Sequence, residues 1–312
     1  MLFFLIPLIS SGYCFNESIY SGRSQYSINT ITNISYCFFT RINSSTGNGG
    51  VLYFNTMVGN LYMEYTGFYN IGSSGVGGAF YLILESVRIS YCCANSCYGV
   101  YFHYGYIKVS NSTGLEFQSI SYCSKSITGY TSLMTAGGDI IINNLNSSMN
   151  IASRFAGMDS YQTSGFLCSF STFAHNNVSE YSCLGFNMNM AEIKRINIID
   201  NTSPSRGIIY VRGDAKLTIE EAVMNQNKNI LLYTLGGFIT VCNSYIYHDL
   251  PYIGSGTLIN ISSISIPPFQ FEFFSTKYCI SDPDESKTLS IHNNYQTTTF
   301  KIPIFQIIII LP

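Results

Sequence analysis

Tryptophan is absent from this 312-residue chain, and charge is nearly so: Asp, Glu, Lys and Arg make up 10% of it, against about 25% in an ordinary globular protein. With 46% hydrophobic residues, the scarcity of charge excludes disorder of the highly charged, weakly hydrophobic kind. The 15 basic and 17 acidic residues nearly cancel. No excess of either sign is left to hold a phosphate backbone or an anionic lipid surface, so no nucleic-acid partner is expected. Uninterrupted apolar runs are short as well. None reaches the roughly 20 residues of a spanning helix, the nearest being "IFQIIIIL" at Ile304 to Leu311. Membrane association is therefore expected only if the chain continues beyond Pro312.

Helix signals are equally sparse, because few stretches carry the Ala, Leu, Glu and Lys mixture or an apolar period near 3.6. What fills the sequence instead is Ser, Asn, Ile, Tyr and Phe, with 25 Tyr and 22 Phe. These aromatic and β-branched residues suit a pleated surface, while Gly and Asn tolerate the positive φ of sharp corners.

The N-terminal "MLFFLIPLISSGYC" places an apolar run, Leu2 to Ile9, before small residues, as a signal peptide over 1–14 would. Acceptor sequons N-x-S/T stand at Asn16, Asn33, Asn43, Asn111, Asn146, Asn177, Asn201 and Asn260. Ten cysteines fit the same oxidising compartment. Their pairing is not readable from spacing. The expectation is a secreted or cell-surface glycoprotein.

Internal repetition is the dominant signal. The tetrapeptide ISYC occurs three times, and Ile34, Cys37, Ile89, Cys92, Ile120 and Cys123 are expected to be inward rungs of a structural ladder. A looser frame of apolar, apolar or small, apolar, then Asn or Asp fits Val87/Ser90/Cys92/Asn95, Ile193/Ile196/Ile198/Asn201, Ile219/Ala222/Met224/Asn227 and Val241/Ser244/Ile246/Asp249. By this frame, the copies at 34 and 120 end on Thr40 and Ser126. About three short strand-like runs make up each unit. Such units cannot bury an apolar face alone and must stack, giving an all-β solenoid, a parallel β-helix. A leucine-rich-repeat solenoid shares the spacing but needs leucine at the slots and a convex-side helix. The expected organisation is an N-terminal cap over 15–30, repeats over 31–265, and a C-terminal cap or stalk over 266–312. Residues 143–190 fit the frame worst and read as an enlarged loop or two degenerate coils.

Gly-Gly-Val-Leu at 49–52, Gly-Gly-Ala-Phe at 77–80, and the F-x-x-N pairs Phe173/Asn176 and Phe186/Asn189 resemble the repeats of polymorphic outer membrane proteins. The chain is most similar to the trichomonad-type, Asn- and Ser-rich surface members. That resemblance implies a right-handed β-helix and an adhesin-like role toward an extracellular protein or glycan ligand. The glycine and F-x-x-N motifs here are few and out of strict alternation.

Catalytic constellations are weak. A carbohydrate-active β-helix, the rival function, needs converging carboxylates or an acidic calcium site. Asp200, Asp214, Glu220, Glu221, Asp282, Asp284 and Glu285 are the candidates. Neighbours such as Glu220 and Glu221 face opposite ways on a strand, and the acidic trio around Pro283 reads as a turn. His103, His175, His248 and His292 are scattered, and Cys92, Cys93 and Cys97 lack a second ligand cluster. The glycine-rich Gly72 to Gly78 precedes a strand where phosphate binding needs a helix. No catalytic residue, metal or cofactor is expected.

Overall fold

The computed structural model of the protein describes residues 24–26, 31–35, 37–45, 47–124, 129–247, 252–264, 290–293 and 296–299. Among these there is no helix. Residues 24–263 wind into a parallel β-helix of about eight turns, and Ser290–Asn293 pairs with Gln296–Thr299 as an antiparallel hairpin. The leucine-rich-repeat alternative is set aside, since each coil carries three strands. The expected signal peptide, Asn16 and most of the C-terminal segment lie outside the described residues. Within the expected N-terminal cap, Ser24–Tyr26 pairs in register with Leu52, Tyr53 and Phe54.

Three parallel sheets form the walls. The first contains Leu52–Asn55, Thr131–Ala136, Phe155–Tyr161, Ser182–Asn187, Ile209–Arg212 and Leu232–Leu235. The second contains Ile31–Ser35, Asn60–Glu64, Gly165–Ser169, Met190–Lys194 and Lys216–Glu220. The third contains Phe38–Thr40, Gly67–Tyr69, Thr172–Ala174, Asn197–Ile199 and Val223–Asn225. The long strands Phe80–Asn95 and Phe102–Ser121 run through all three walls without a break.

Alternation along each strand sends every second side chain inward, and register places like above like. The second wall stacks Ile34, Met63, Ile89, Leu115, Ile142, Cys168, Ile193, Ile219 and Val241 as one column. All nine are at most 2% exposed. Each full burial of such a side chain is worth about 1.5–3 kcal/mol. The third wall stacks Phe39, Phe68, Ala94, Ile120, Ser147, Phe173, Ile198, Met224 and Ile246.

These columns explain ISYC and correct its reading. Ile34 and Ile89 share the second-wall column, with Met63 between them, but Ile120 belongs to the third wall. The third copy is therefore displaced by one face. The same tetrapeptide serves both places because both corners have one design. Two positions after an inward apolar residue comes a residue in the left-handed region, and the next residue again points inward. Tyr91 has φ 53° at one corner and Tyr122 φ 52° at the other. The looser frame is also two residues early in the copy at Val87, where the true slots are Ile89, Cys92, Ala94 and Cys97.

Left-handed residues recur on every described coil. Tyr65, Tyr91, Phe117, Asn144, Phe170, Arg195, Glu221 and Asn243 mark the first corner; Arg41, Asn70, Ser96, Tyr122, Met149, His175, Asp200 and Gln226 mark the second. For L-residues other than Asn this conformation costs about 1–2 kcal/mol each. Hydrogen bonds inside the second corner offset part of that cost. There Asn150, Asn176, Asn201 and Asn227 stack, each Oδ1 accepting the backbone N–H one coil below: Cys123 to Asn150 at 2.9 Å, Asn150 to Asn176 at 3.1 Å, Asn176 to Asn201 at 3.0 Å, Asn201 to Asn227 at 3.0 Å. Their Nδ2 groups donate to the carbonyls of Ile120, Ser147, Phe173 and Ile198.

Residues 143–190 are coils in register, the second of the two arrangements expected, and not an enlarged loop. Their rungs Ile142, Cys168 and Ile193 are in register. The apolar pattern fades there because hydrogen-bonded Ser147, Asn150, Ser160, Ser171 and Asn176 occupy inward slots. Aromatic rings are fitted by glycines on neighbouring coils. A Cβ on Gly105 would lie 2.0 Å from the Phe80 ring beside it.

Ile193→Ala should lower unfolding free energy by about 2–5 kcal/mol. The adjacent outward Met190→Ala, at a residue 67% exposed, should change it by no more than about 0.5 kcal/mol. Urea denaturation followed by circular dichroism compares the two directly.

Candidate ligand-binding face

Where each coil enters the first wall, the exterior carries a column of rings and guanidinium groups. Tyr130 and Thr131 hydrogen-bond through their N–H groups to Tyr101, Arg154 to Tyr130, Ser182 to Arg154, and Arg206 to Tyr181. The backbone thus sets Tyr101, Tyr130, Arg154, Tyr181 and Arg206 one above another. The Tyr101 and Tyr130 centroids are 5.1 Å apart. Arg154 lies over Tyr130 at 4.3 Å and over Tyr181 at 5.1 Å, and Arg206 lies over Tyr181 at 4.0 Å and Tyr210 at 5.5 Å. Tyr181 is held between two cations. A cation over an aromatic face gains about 0.5–1 kcal/mol at exposed sites and more when desolvated.

Beside this column, on the outer face of the wall, Asp159 is 5% exposed and takes a hydrogen bond from Arg212 at 3.3 Å, two coils away. Gly185 occupies the intervening coil, and a Cβ there would sit 2.5 Å from Asp159 Oδ1 and 2.5 Å from the Phe155 ring. A side chain at 185 would thus collide with the bridge, and glycine is the residue that lets it pass. Arg212 also stacks over Phe155 and Tyr161 at 5.7 and 5.6 Å. Burial pushes the Asp159 carboxyl up to about 6, against the opposing pull of Arg212 and Arg154. Three buried polar atoms here, Asp159 Oδ1, Arg154 Nε and Arg212 Nε, have no hydrogen-bond partner.

A second concavity of about 480 Å³ lies on the outer second wall, bordered by Met190, Glu192, Lys216, Thr218, Phe238 and Thr240. Its acid is already bonded, Glu192 receiving Lys194 Nζ at 2.9 Å.

The residues expected from sequence fall out as follows. Ile34, Cys37, Ile89, Cys92, Ile120 and Cys123 are all buried. Asn33, Asn43, Asn111 and Asn177 are exposed. Asn201 is wholly buried in the asparagine ladder with both side-chain atoms engaged, and Asn146 is 7% exposed. A glycan on either is incompatible with the packed coil, which corrects those two acceptors. The backbone of Asn260 lies in the strand Thr257–Ser263.

Among the acids, Asp200 pairs with His175 at 2.9 Å and Glu221 with Arg195 at 2.6 Å. Asp214 is exposed, and Asp282, Asp284 and Glu285 lie outside the described residues, as does His248. Burial holds His103 down at about 4. Cys93 is disulfide-bonded, whereas Cys92 and Cys97 are buried thiols, with Cys92 pushed up to about 12 by burial. No group of three or more His, Cys, Asp or Glu that could hold a metal occurs among the described residues. Gly72 to Gly78 is a corner stacked on the previous one, Ser73 Oγ donating to the Gly47 carbonyl at 2.9 Å.

Sequence reasoning did not find Arg154, Arg206, Arg212 or Asp159. The signal was their position relative to the rungs, since Tyr101, Tyr130, Arg154, Tyr181 and Arg206 each follow a second-wall rung by about the length of half a coil. Comparisons of the chain with family models, curated proteins and solved structures found no match.

Because the Asp159 carboxyl is raised from 3.8 to about 6 in the folded protein, its neutral form is favoured by folding. Its contribution is fully present below pH 3.8 and is lost as the pH rises through 6. Stability of the wild type relative to Asp159→Asn should therefore increase as the pH is lowered from 7 to 4. Urea midpoints of the two proteins across that range test this, and parallel profiles would contradict it.

Proposed function

We propose that the chain is a secreted or cell-surface β-helical glycoprotein with an adhesin-like role, engaging extracellular ligands by extended surface contact. The observation that carries this reading is the exterior ladder of Tyr101, Tyr130, Arg154, Tyr181 and Arg206. A chemical group repeated on successive coils suits contact distributed along a long ligand. The exposed sequons at Asn33, Asn43, Asn111 and Asn177 agree with an extracellular setting, as does the similarity of the glycine and F-x-x-N motifs to surface proteins of the polymorphic outer membrane type.

The rival reading is a carbohydrate-active enzyme, and Asp159 favours it. A buried carboxyl with its acidity shifted toward neutrality is the kind of group acid–base catalysis uses. Glycoside hydrolysis ordinarily needs a second carboxylate across the scissile bond. Asp159 is the sole buried acid among the described residues, and its Oδ2 is taken by Arg212. The binding role is thus the better supported of the two.

Staining intact cells that express the chain, with and without enzymatic glycan removal, tests the proposal. Surface signal and a mass shift on deglycosylation are expected, with glycopeptides at the exposed sequons and none at Asn146 or Asn201. Cytosolic, unglycosylated protein would overturn the extracellular role, and a glycan on Asn201 would contradict the ladder itself.

A further inference from the structure

The chain contains seven arginines, and three of them, Arg154, Arg206 and Arg212, converge on one strip of surface. In a protein so poor in charge this concentration is notable for what fails to accompany it. Arg212 has Asp159, whereas Arg154 and Arg206 have no carboxylate partner among the described residues. Elsewhere Arg88 is paired with Glu116 and Arg195 with Glu221. Arg154 and Arg206 instead approach the same Tyr181 ring, and the buried acid near Arg154, Asp159, is bonded to Arg212.

Stacking decides what these two groups can bind. A guanidinium over a ring keeps its N–H donors in a planar fork suited to two-point binding of a carboxylate or sulfate. Arg206 uses one donor on the Tyr210 hydroxyl, at 3.2 Å. Nε of Arg154 has no partner at all. The ring contacts hold both guanidinium groups in place, so less side-chain freedom is lost on binding.

Spacing and surroundings narrow the ligand further. The two arginines sit on alternate coils, their backbones about 10 Å apart at the ~4.8 Å spacing of paired strands and their guanidinium carbons 5.1 and 4.0 Å from the shared Tyr181 ring, an arrangement suited to a chain that runs along the coils bearing repeated anions. The neighbouring groups are mainly hydroxyls, those of Tyr130 and Tyr181 with the exposed Ser179 and Ser205, and one exposed carboxylate, Glu180, stands beside Tyr181; Tyr210 is buried, its hydroxyl accepting from Arg206. Single-stranded nucleic acid would need a run of open aromatic faces for its bases, but Tyr181 has guanidinium groups against it and Tyr130 is covered by Arg154 and Tyr101, which leaves Tyr101 as the largely exposed ring of the column. We infer that this strip is a binding track for an acidic saccharide chain, with Arg154 and Arg206 each gripping one anionic substituent and the tyrosine hydroxyls meeting the sugar hydroxyls. The inference rests on the binding role proposed above and gives that role a ligand chemistry.

Isothermal titration of the whole chain against oligogalacturonate, its methyl-esterified form, a heparin oligosaccharide, poly-glutamate and single-stranded RNA tests this. Binding of oligogalacturonate or the heparin oligosaccharide is expected, the tighter of the two showing whether carboxylate or sulfate is preferred, with the methyl ester at least about tenfold weaker. Arg154→Gln with Arg206→Gln should abolish it. Arg154→Lys with Arg206→Lys should still lose about tenfold, because charge without the planar fork is not enough. Unchanged thermal midpoints in both double variants would show that the fold is intact. An unaffected double Gln variant, equal binding of the methyl ester, or equal binding of poly-glutamate or RNA would overturn the inference. Surface display with attachment to extracellular material but to none of these oligosaccharides would overturn it too, while leaving the surface role standing.

Discussion

Each coil of this protein exposes a complete edge of unpaired backbone N–H and C=O groups, and only another coil in register can satisfy that edge. Everything else follows from meeting this demand repeatedly. Because side chains alternate along a strand, a slip of one residue between coils would turn an inward row outward. The register is accordingly held from both sides of the wall. Inside, the column from Ile34 to Val241 keeps an apolar residue at every level. Outside, Tyr65, Tyr91 and Phe117 stack at 4.9 and 4.7 Å with nearly parallel rings.

The corners are where the geometry is most costly and most diagnostic. Placing Tyr, Phe, Arg, Met and Glu in the left-handed region on successive coils opposes the intrinsic preference of those residues. It is tolerated because the following residue then points inward, into a column that rewards it. In the second corner that column changes from Ile42, Ile71, Cys97 and Cys123 to the four asparagines, an exchange of apolar packing for amide hydrogen bonds at the same slot. The asparagines satisfy corner N–H groups that turn away from the strand ladder, which a purely apolar column does not do.

This division accounts for what could be read in the sequence. The repeat, the three strands per coil and the inward Ile and Cys positions were legible, because residue type and burial coincide there. The meaning of the third ISYC was not, since two corners of like geometry accept the same four residues and nothing local distinguishes them. Asn201 carried two incompatible readings, ladder rung and glycan acceptor. A sequon describes three residues and is silent about which way the first one faces. Residues 143–190 looked irregular because inward serines and asparagines imitate loop composition. The Tyr and Arg column was hidden by corner loops of unequal length, which keep its members from recurring at a constant interval even though the backbone sets them one above another.

An exterior built in this way is a set of parallel columns, and its chemistry is decided column by column. The strip containing Arg154, Tyr181 and Arg206 is unusual because these two cations lie over rings and form no ion pair among the described residues. All of this depends on in-register stacking, and distances between spin labels along one outward column measure that most directly. Arg88 and Glu192 occupy the same column four coils apart, and Tyr62 and Thr218 six coils apart. Double electron–electron resonance should give separations near 19 and 29 Å between their backbones, proportional to the number of ~4.8 Å steps. Separations that do not grow in that proportion would contradict the stacked coil.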